Sequence, residues 1–267
     1  MTTKVDKLNR LLAVETTGQV ASVALALKKD DAFDITERTA RERLNHLTEL
    51  IPMLRDLLAS SGLSPADIDA IAVSAGPGSF TGIRIGVSAV RALAQTLNIP
   101  VVKVPTLETF AHKEHKGDGS FCVIEDSAPP VVCPVFDARR GQMYAGAFRR
   151  AAHGEIERLV LGGAYDPQAF FAALSTVLSQ STANREITFF GDGLDVFKDD
   201  ISAWRPPGGA KVRLAPSSHR LQTASQVAKW ALSHGVLSDY RRLEPIYMRQ
   251  AEAQRKLEER RARGELD

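Results

Sequence analysis

Two acidic side chains stand where apolar runs end, and they are the first candidates for chemistry. Glu15 closes the run LLAV, and Asp137 closes the run PVF. A pair of carboxylates can activate water or organise a magnesium-bound nucleotide. The same acids can instead cap turns or pair with Arg139 and Arg140. The second segment carries Ala138 and these arginines where the first has Thr16 and Thr17. We therefore favour a degenerate cleft, in which the two acids catalyse no reaction of their own.

The segment SAGPGSFTGIR at residues 74–84 is the most informative part of the chain. It lies between an apolar run and an amphipathic segment, which predicts a strand, a tight loop and a helix start. The unpaired N–H groups of such a loop can bind an anion or meet another chain, so a phosphate contact and a structural turn both remain open. The loop residues are Gly76, Gly78, Ser79, Thr81 and Gly82, with Ser79 or Thr81 as the helix cap.

Spacing excludes two familiar phosphate-binding motifs for this loop. A Walker A loop requires Lys and then Ser or Thr after its last glycine, but Gly82 is followed by Ile83 and Arg84. The dinucleotide fingerprint places its third glycine one residue earlier than Gly82. Pro77 also removes one of the amides that such a cradle uses.

Composition is that of an ordinary folded protein. The chain has 267 residues, of which 44% are hydrophobic and 25% charged. A net charge of +2 gives no overall attraction to nucleic acid, so an RNA contact must be local or supplied by a partner. We find neither an apolar run of membrane-spanning length nor a signal-peptide core, and we expect a cytoplasmic protein. Cys122 and Cys133 fit reduced thiols in that compartment.

One pattern of elements occurs twice along the chain. Residues 11–27 and 134–148 each read as strand, polar turn and strand, and each pair is followed by a third strand, a helix, a strand and a helix. This repeat predicts an α/β fold of two similar lobes, the alternative being one long doubly wound sheet. The expected organisation is a first lobe (1–112), a linker (113–130), a second lobe (131–250) and a charged tail (251–267).

Two helices of the first lobe are more apolar than ordinary surface helices. The segments 44–58 and 82–97 each carry two apolar stripes, where packing on one side of a sheet needs only one. The second stripe is either covered by a neighbour or kept for a partner. Pro52 lies inside the first segment, and we expect the helix to bend there. The predicted partner interface consists of Leu47, Leu50, Ile51, Met53, Leu54, Leu57, Ile85, Ala89, Ala92 and Leu93.

The segment SAGPGSFTGIRIGVSAVRALAQTLNIPVVKVPTLETFA resembles the signature of the TsaB family. Supporting motifs occur in order along the chain: LLAVETTGQVASVAL, DIDAIAVSAGPGSFTGIR, PVFDARRGQMYAGAF, FFGDG and EPIYMR. The family more usually has Asp where this chain has Glu15, and the tail after Arg249 lies outside the pattern.

The resemblance implies a two-lobed fold of the actin, Hsp70 and sugar-kinase (ribonuclease H-like) type, with mixed sheets flanked by helices. In that fold the acids at positions 15 and 137 face the cleft between the lobes. It also implies a noncatalytic subunit that activates a TsaD-like enzyme, which makes threonylcarbamoyladenosine at position 37 of tRNA. A TsaE-like ATPase joins the assembly, and tRNA is reached through the complex. We expect a homodimer in isolation and no cofactor on this chain alone, with ATP or ADP at the junction with the partner.

The metal site of the TsaD relatives does not carry over to this chain. Their His-x-x-x-His motif falls on Thr106 and Phe110, and a phenylalanine cannot bind a metal. His112 and His115 stand nearby, but they adjoin the linker and lack a third ligand with suggestive spacing. Two other functions remain as alternatives, an ATP-dependent small-molecule kinase of the same fold and a metallopeptidase-like hydrolase.

Overall fold

The computed structural model describes residues 3–5, 8–30, 32–40, 46–113, 130–151, 154–180 and 186–249. His115, Cys122, the tail and nearly all of the expected linker lie outside these residues. The described strands are β1 Thr3–Lys4, β2 Arg10–Glu15, β3 Ser22–Lys29, β4 Ala32–Thr39, β5 Ala70–Gly76, β6 Val101–Pro105, β7 Val131–Asp137, β8 Met143–Arg150, β9 Ile156–Tyr165, β10 Glu186–Phe190, β11 Lys211–Leu214 and β12 Val236–Leu237.

Helices flank the sheets. The described α-helices are α1 His46–Ser60, α2 Phe80–Leu97, α3 Pro167–Ser179, α4 Lys198–Ala203 and α5 Ala224–His234. Short 3-10 helices cover Pro65–Asp67, Thr106–His112, Asp192–Asp195, Pro207–Gly209 and Tyr240–Arg242. Helix α1 continues through Pro52. Helix α2 ends at Asn98, whose left-handed backbone (φ 53°) stops the helical path. None of the helices in the described ranges has the length and apolarity needed to cross a membrane.

The two five-stranded sheets repeat one topology, which confirms the predicted duplication and fold class. The first sheet has the order β4-β3-β2-β5-β6, and the second has β9-β8-β7-β10-β11. In each sheet the first three strands along the chain pair antiparallel, and the last two join in parallel. The carboxyl ends of the central strands β2 and β5 therefore meet at one edge, as do those of β7 and β10. These edges carry the glycine loop and both candidate acids.

Alternating side chains place two cores on the first sheet. Leu12 and Val14 of β2 belong to the core beneath α1 and α2. Leu11 and Ala13 belong to a second core beneath α5 on the other face. A strand buried on both faces needs apolar residues at every position, which is why β2 shows no polar alternation.

Each half of the chain covers one sheet face of the other half. Helix α5 follows the second sheet in sequence, yet its Val227 and Ala231 pack in a core with first-sheet residues. The 3-10 helix Thr106–His112 follows the first sheet, yet its Leu107 and Phe110 pack against Phe136 of β7 and its neighbours. Helix α5 and this 3-10 helix therefore each pack on the sheet of the other half, while the boundaries 1–112 and 131–250 stay a prediction.

Candidate functional site

The glycine loop joins β5 to α2, as its sequence predicts. The Ser79 hydroxyl oxygen accepts a hydrogen bond from the Gly82 amide at 3.2 Å, so Ser79 caps the helix and Thr81 lies exposed beyond it. Gly76 and Gly78 have φ of 120° and 154°, a region that favours glycine. A carbonyl oxygen of Ile246 would lie 2.5 Å from a Cβ at Gly76, which closes this side of the loop.

The turn between β2 and β3 fills the space in front of the loop. The Ser79 amide donates to the Thr17 carbonyl at 2.7 Å, and the Thr16 hydroxyl donates to the Gly82 carbonyl at 2.8 Å. A Cβ at Gly82 would lie 1.9 Å from the Thr16 carbonyl oxygen. Real Cβ atoms are never found so close to a backbone atom, so Gly82 permits this approach. The geometry favours the structural turn over the phosphate contact.

Glu15 lies beside this turn and is fully buried. One carboxylate oxygen accepts from the Thr17 amide at 2.5 Å and from the Thr17 hydroxyl at 2.6 Å. The other accepts from the Ser74 hydroxyl. Burial raises the pKa of Glu15, and these hydrogen bonds oppose the rise in part. Because both oxygens are engaged and neither is exposed, this carboxylate holds the turn and presents no surface to a substrate.

The matching turn of the second lobe differs in character. Asp137 accepts from the Arg139 amide at 2.7 Å and pairs with the Arg139 guanidinium at 3.0 Å. Arg139 and Arg140 are consecutive left-handed residues with φ of 66° and 59°. Such a conformation is uncommon for residues other than glycine. Both side chains are exposed at the mouth between the lobes.

Asp192, in the FFGDG motif, is a cleft residue that the sequence reasoning missed as a site. Burial and then the charge of Asp137 raise its pKa, and a hydrogen bond to the Gln19 side chain opposes the rise. Its Oδ1 atom is buried without a hydrogen-bond partner. Gln19 belongs to the first-lobe turn, so this hydrogen bond crosses the cleft. The FFGDG motif was visible in the sequence, but its isolated acid gave no sign of a partner on another lobe.

The positions that match the metal motif of the relatives are structural. The Thr106 hydroxyl accepts from the Gly76 amide at 3.2 Å, and Phe110 is fully buried in an aromatic core. His112 is buried, and its ring centroid lies 5.3 Å from that of His234. Burial lowers the pKa of His112 to about 3, so its imidazole is neutral. Over the described ranges, no three His, Cys, Asp or Glu side chains gather as metal ligands do.

Part of the predicted partner interface is wrong, because three of its leucines face the sheet. Leu50, Leu54 and Leu57 of α1 are 1%, 4% and 0% exposed and belong to the core with β2 and β3. Their spacing of four and three residues is that of one helix face, and this face meets the sheet. Ile51 lies to one side of this face and is 52% exposed. The Leu47 side chain lies outside the described part of the structure.

The other predicted interface residues lie at the border between core and solvent. Ala92 of α2 is exposed. Met53 of α1 and Ile85, Ala89 and Leu93 of α2 are partly buried and pack against the first core. Among the predicted interface residues whose side chains the structure describes, Ile51 and Ala92 are therefore the exposed ones.

The motif EPIYMR forms a strap, residues 244–249, which crosses from one lobe to the other. The Ile246 amide donates to the Ala75 carbonyl at 2.7 Å, beside the glycine loop. Arg249 Nη1 donates to the Ala138 carbonyl at 2.7 Å, in the turn of the second lobe. Between them the Tyr247 hydroxyl accepts from Arg84 Nε at 3.1 Å. The sequence identified this motif but not its role as a bridge.

Two further side chains tie the lobes together, and neither could be recognised from a sequence pattern. Lys113 Nζ donates to the carbonyls of His219 and Leu221 at 2.5 and 2.8 Å, and burial lowers its pKa to about 7. Gln222 Nε2 lies 3.3 Å from the Thr17 hydroxyl oxygen, to which it donates. The cleft between the lobes is thus crossed by hydrogen bonds of the chain itself.

Comparison with known proteins gives concordant matches. A family model described as TsaD, tRNA N6-adenosine threonylcarbamoyltransferase, matches residues 35–255. The tRNA threonylcarbamoyladenosine biosynthesis protein TsaB of Bacillus subtilis strain 168 is 29% identical over 248 residues, covering 92% of this chain and 99% of that protein. The Escherichia coli K12 protein of the same name is 35% identical over 157 residues, covering 57% of this chain and 62% of that protein.

Solved structures agree with these sequence matches. An uncharacterized Pseudomonas aeruginosa protein with similarity to the peptidase YeaZ superposes with a TM-score of 0.70 at 26% identity, covering 91% of this chain and 100% of that chain. A structure described as YeaZ from Pseudomonas aeruginosa gives a TM-score of 0.68 at 25% identity, covering 90% and 100%.

Proposed function

Because the chain belongs to the TsaB family, within the wider TsaD family, we propose that it is a noncatalytic partner subunit in the synthesis of N6-threonylcarbamoyladenosine in tRNA. In this proposal a TsaD-like enzyme carries out the chemistry at position 37, and this chain orders that enzyme by docking. The family membership supports a role in the synthesis of this modified nucleoside. The geometry of the cleft supports the lack of turnover.

The closed glycine loop is the observation that carries the noncatalytic role. A phosphate bound at this loop needs free amides, but the Ser79 amide donates to the Thr17 carbonyl and the Gly82 amide to the Ser79 hydroxyl. A general base needs an accessible carboxylate, but both oxygens of Glu15 accept hydrogen bonds from neighbours. A nucleotide phosphate bound at Gly82, as a kinase reading of this loop would require, meets the Thr16 backbone there. These contacts argue against the kinase alternative.

Docking is proposed for the strip of surface on α1 and α2 that carries the exposed residues Ile51 and Ala92. Exposed isoleucine beside small residues lets a partner helix approach closely, and such surfaces bind by burying apolar area. Without the partner, equivalent strips can pair about a two-fold axis, so we expect a homodimer in isolation. We further propose that ATP or ADP occupies the junction with the partner and that a TsaE-like ATPase joins the complex. In this scheme tRNA is held mainly by the assembly.

The test is a tRNA modification assay with the cognate TsaD-like protein. Modified nucleoside is measured by mass spectrometry with and without this chain, and the isolated chain is assayed for ATP hydrolysis and for metal content. We expect modification to require the chain, while the isolated chain hydrolyses no ATP above background. Full modification without the chain, or ATP turnover by the chain alone, would refute the proposal.

A further inference from the structure

We infer that the mouth between the lobes carries an RNA-binding ridge, made of Phe80, Arg84, Tyr247, Arg249, Arg139 and Arg140, which holds a single-stranded RNA segment. The choice of RNA as ligand rests on the proposed function, since that function brings tRNA to the complex. The inference goes beyond it, because it assigns a direct RNA contact to this chain.

The first half of the ridge is a pair of exposed aromatic rings. Phe80 and Tyr247 are 43% and 46% exposed, and their ring centroids lie 5.4 Å apart. The guanidinium carbon of Arg84 lies 3.9 Å from the centre of the Phe80 ring, while Arg84 Nε donates to the Tyr247 hydroxyl. Arg84 therefore fixes both rings in place. Fixed aromatic faces next to an arginine are the stacking platform that unpaired bases use.

The second half of the ridge is a group of arginines at the other end of the strap. Arg249 Nη1 donates to the Ala138 carbonyl at 2.7 Å and approaches the Arg139 carbonyl at 3.4 Å. The strap thereby places Arg249 against the turn that carries Arg139 and Arg140. The Arg139 side chain remains 85% exposed despite its ion pair with Asp137. Exposed arginines gathered in one place attract phosphate groups.

The local charge balance favours a phosphate-rich ligand. The three segments that build the ridge, residues 75–84, 137–142 and 244–249, contain four arginines but only Asp137 and Glu244 as acids. The nearby Asp192 is half-buried, and burial and the charge of Asp137 raise its pKa. The excess of positive charge is local, since the whole chain carries only +2.

A protein ligand fits this surface less well than RNA. The centre of a protein interface is apolar and poor in charged residues, with a polar rim around it. Here two rings are the exposed apolar part, Arg84 lies beside them, and the other three arginines lie at the far end of the strap. Aromatic faces interleaved with arginines match bases and phosphates along one strand.

The test measures binding of an unmodified tRNA transcript to the full chain without its partner, by filter binding over a range of salt concentrations. The ridge variant carries Arg139→Asn and Arg140→Asn, because asparagine tolerates the left-handed backbone of that turn. The matched control carries Arg241→Asn and Arg242→Asn, two exposed adjacent arginines of another turn. Circular dichroism verifies the fold of both.

We expect the ridge variant to bind tRNA about tenfold or more weakly and to lower the slope of affinity against salt by about two, one for each phosphate contact. The control should stay within about twofold of the parent chain. Tyr247→Leu should weaken binding about fivefold or more, through lost base stacking. A single-stranded competitor RNA should displace the tRNA better than a duplex of equal length.

Parent affinity in the ridge variant would overturn the inference, as would the absence of salt-dependent tRNA binding by the parent chain. Co-purification with the TsaD-like protein is measured on the same variant. If the variant loses the partner but keeps tRNA affinity, the ridge is a protein interface and the inference is wrong. Since tRNA binding is measured without the partner, failure of the proposed function leaves this measurement intact.

Discussion

At the scale of single residues, the contact between Thr16 and Gly82 explains why a glycine loop that resembles a phosphate-binding loop has a structural role. The Thr16 hydroxyl donates to the Gly82 carbonyl. The backbone carbonyl oxygen of Thr16 occupies the space that a Cβ at Gly82 would need. The neighbouring Thr17 accepts from the Ser79 amide and donates to Glu15. One turn thus satisfies the loop amide, the helix carbonyl and the buried acid together. A buried carboxylate is tolerated only because it is so fully hydrogen-bonded.

Replacing Gly82 by alanine should destabilise the protein. The added methyl group would meet the Thr16 backbone, which cannot move without disturbing the turn. We expect a loss of about 2 kcal/mol or more in the free energy of unfolding, measured by urea denaturation. The control is Ser88→Ala on the exposed side of the same helix, which should change stability by no more than about 0.5 kcal/mol. Equal stability of the two variants would contradict the close approach.

The buried His112 should make stability depend on pH. Its folded pKa of about 3 lies below the ordinary histidine pKa of 6.5, so the unfolded chain binds the proton more readily. Its contribution to stability is complete above pH 6.5 and is lost as pH falls toward 3. The charges that face it are those of Arg150, His234 and Lys229.

The measurement is the free energy of unfolding between pH 7 and pH 5 for the parent chain and for His112→Phe. Below the pKa of histidine in the unfolded chain, we expect the free energy of unfolding to fall with decreasing pH more steeply for the parent than for the variant. The difference should be about 1 kcal/mol per pH unit. Identical slopes for the parent and His112→Phe would refute a neutral buried imidazole.

Among the elements, α1 shows how a helix with two apolar stripes is divided between core and surface. The face with Leu50 and Leu57 meets the sheet, while Ile51, to one side of this face, is exposed. Helix α2 divides similarly, with Val90 in the core and Ala92 outside. The proposed docking surface is therefore smaller than the apolar content of these helices suggests. A small surface with one large apolar residue is sensitive to a single charge.

A charged residue should have different consequences at an exposed and at a buried position of α1. Ile51→Asp should keep stability within about 1 kcal/mol of the parent, since the site is exposed, yet reduce co-purification with the TsaD-like protein at least about tenfold. Ala92→Asp should behave in the same way. Leu50→Asp should lose more than about 4 kcal/mol and fail to fold, because it buries an unpaired charge. Normal co-purification of both surface variants would refute this interface.

In the whole molecule, the lobes are bound to each other through exchanged segments and bridging hydrogen bonds. Helix α5 completes the first lobe, and the 3-10 helix Thr106–His112 completes the second. Lys113, Gln222 and the strap add hydrogen bonds across the junction. Many two-lobed enzymes close around a ligand by a hinge motion. Here the chain's own residues already hold the lobes together, which is consistent with the proposed docking role.

Loss of the Lys113 bridge should weaken the coupling between the lobes. Lys113→Met removes two hydrogen bonds and leaves the carbonyls of His219 and Leu221 without their donor, at a cost of about 2 kcal/mol. The chain has two tryptophans, and each packs in a different lobe: Trp204 against the second core and Trp230 in the core beneath α5. Single-tryptophan versions therefore report the unfolding of each lobe separately.

In the parent chain both tryptophans should report the same urea midpoint, and Lys113→Met should lower or separate the midpoints. Lys103→Met, on an exposed position of β6, is the matched control and should leave both midpoints unchanged. Separate midpoints in the parent would show that the lobes unfold independently. That result would contradict the coupling between the lobes.

Local patterns predicted the elements well, because periodicity and turn chemistry act over a few residues. The apolar run before Gly76 became β5, and Ser79 caps α2 as its short hydroxyl suggests. The repeat of strands and helices predicted two lobes with one topology. The long motif around the glycine loop was specific enough to indicate the family. These features depend on neighbours in sequence, so the sequence alone contains them.

By itself, then, the sequence determined the repeated fold, the position of the loop and the family. Only the tertiary structure decided which stripe of α1 is buried, what fills the loop and where the strap leads. These outcomes depend on contacts between residues far apart in the chain, such as Thr16 with Gly82, Ile246 with Ala75 and Arg249 with Ala138. An amphipathic pattern shows that a face is apolar, but the rotation of the helix on its sheet selects the face that is buried. A hydrogen-bonding group shows what it can bind, but the fold supplies its partner.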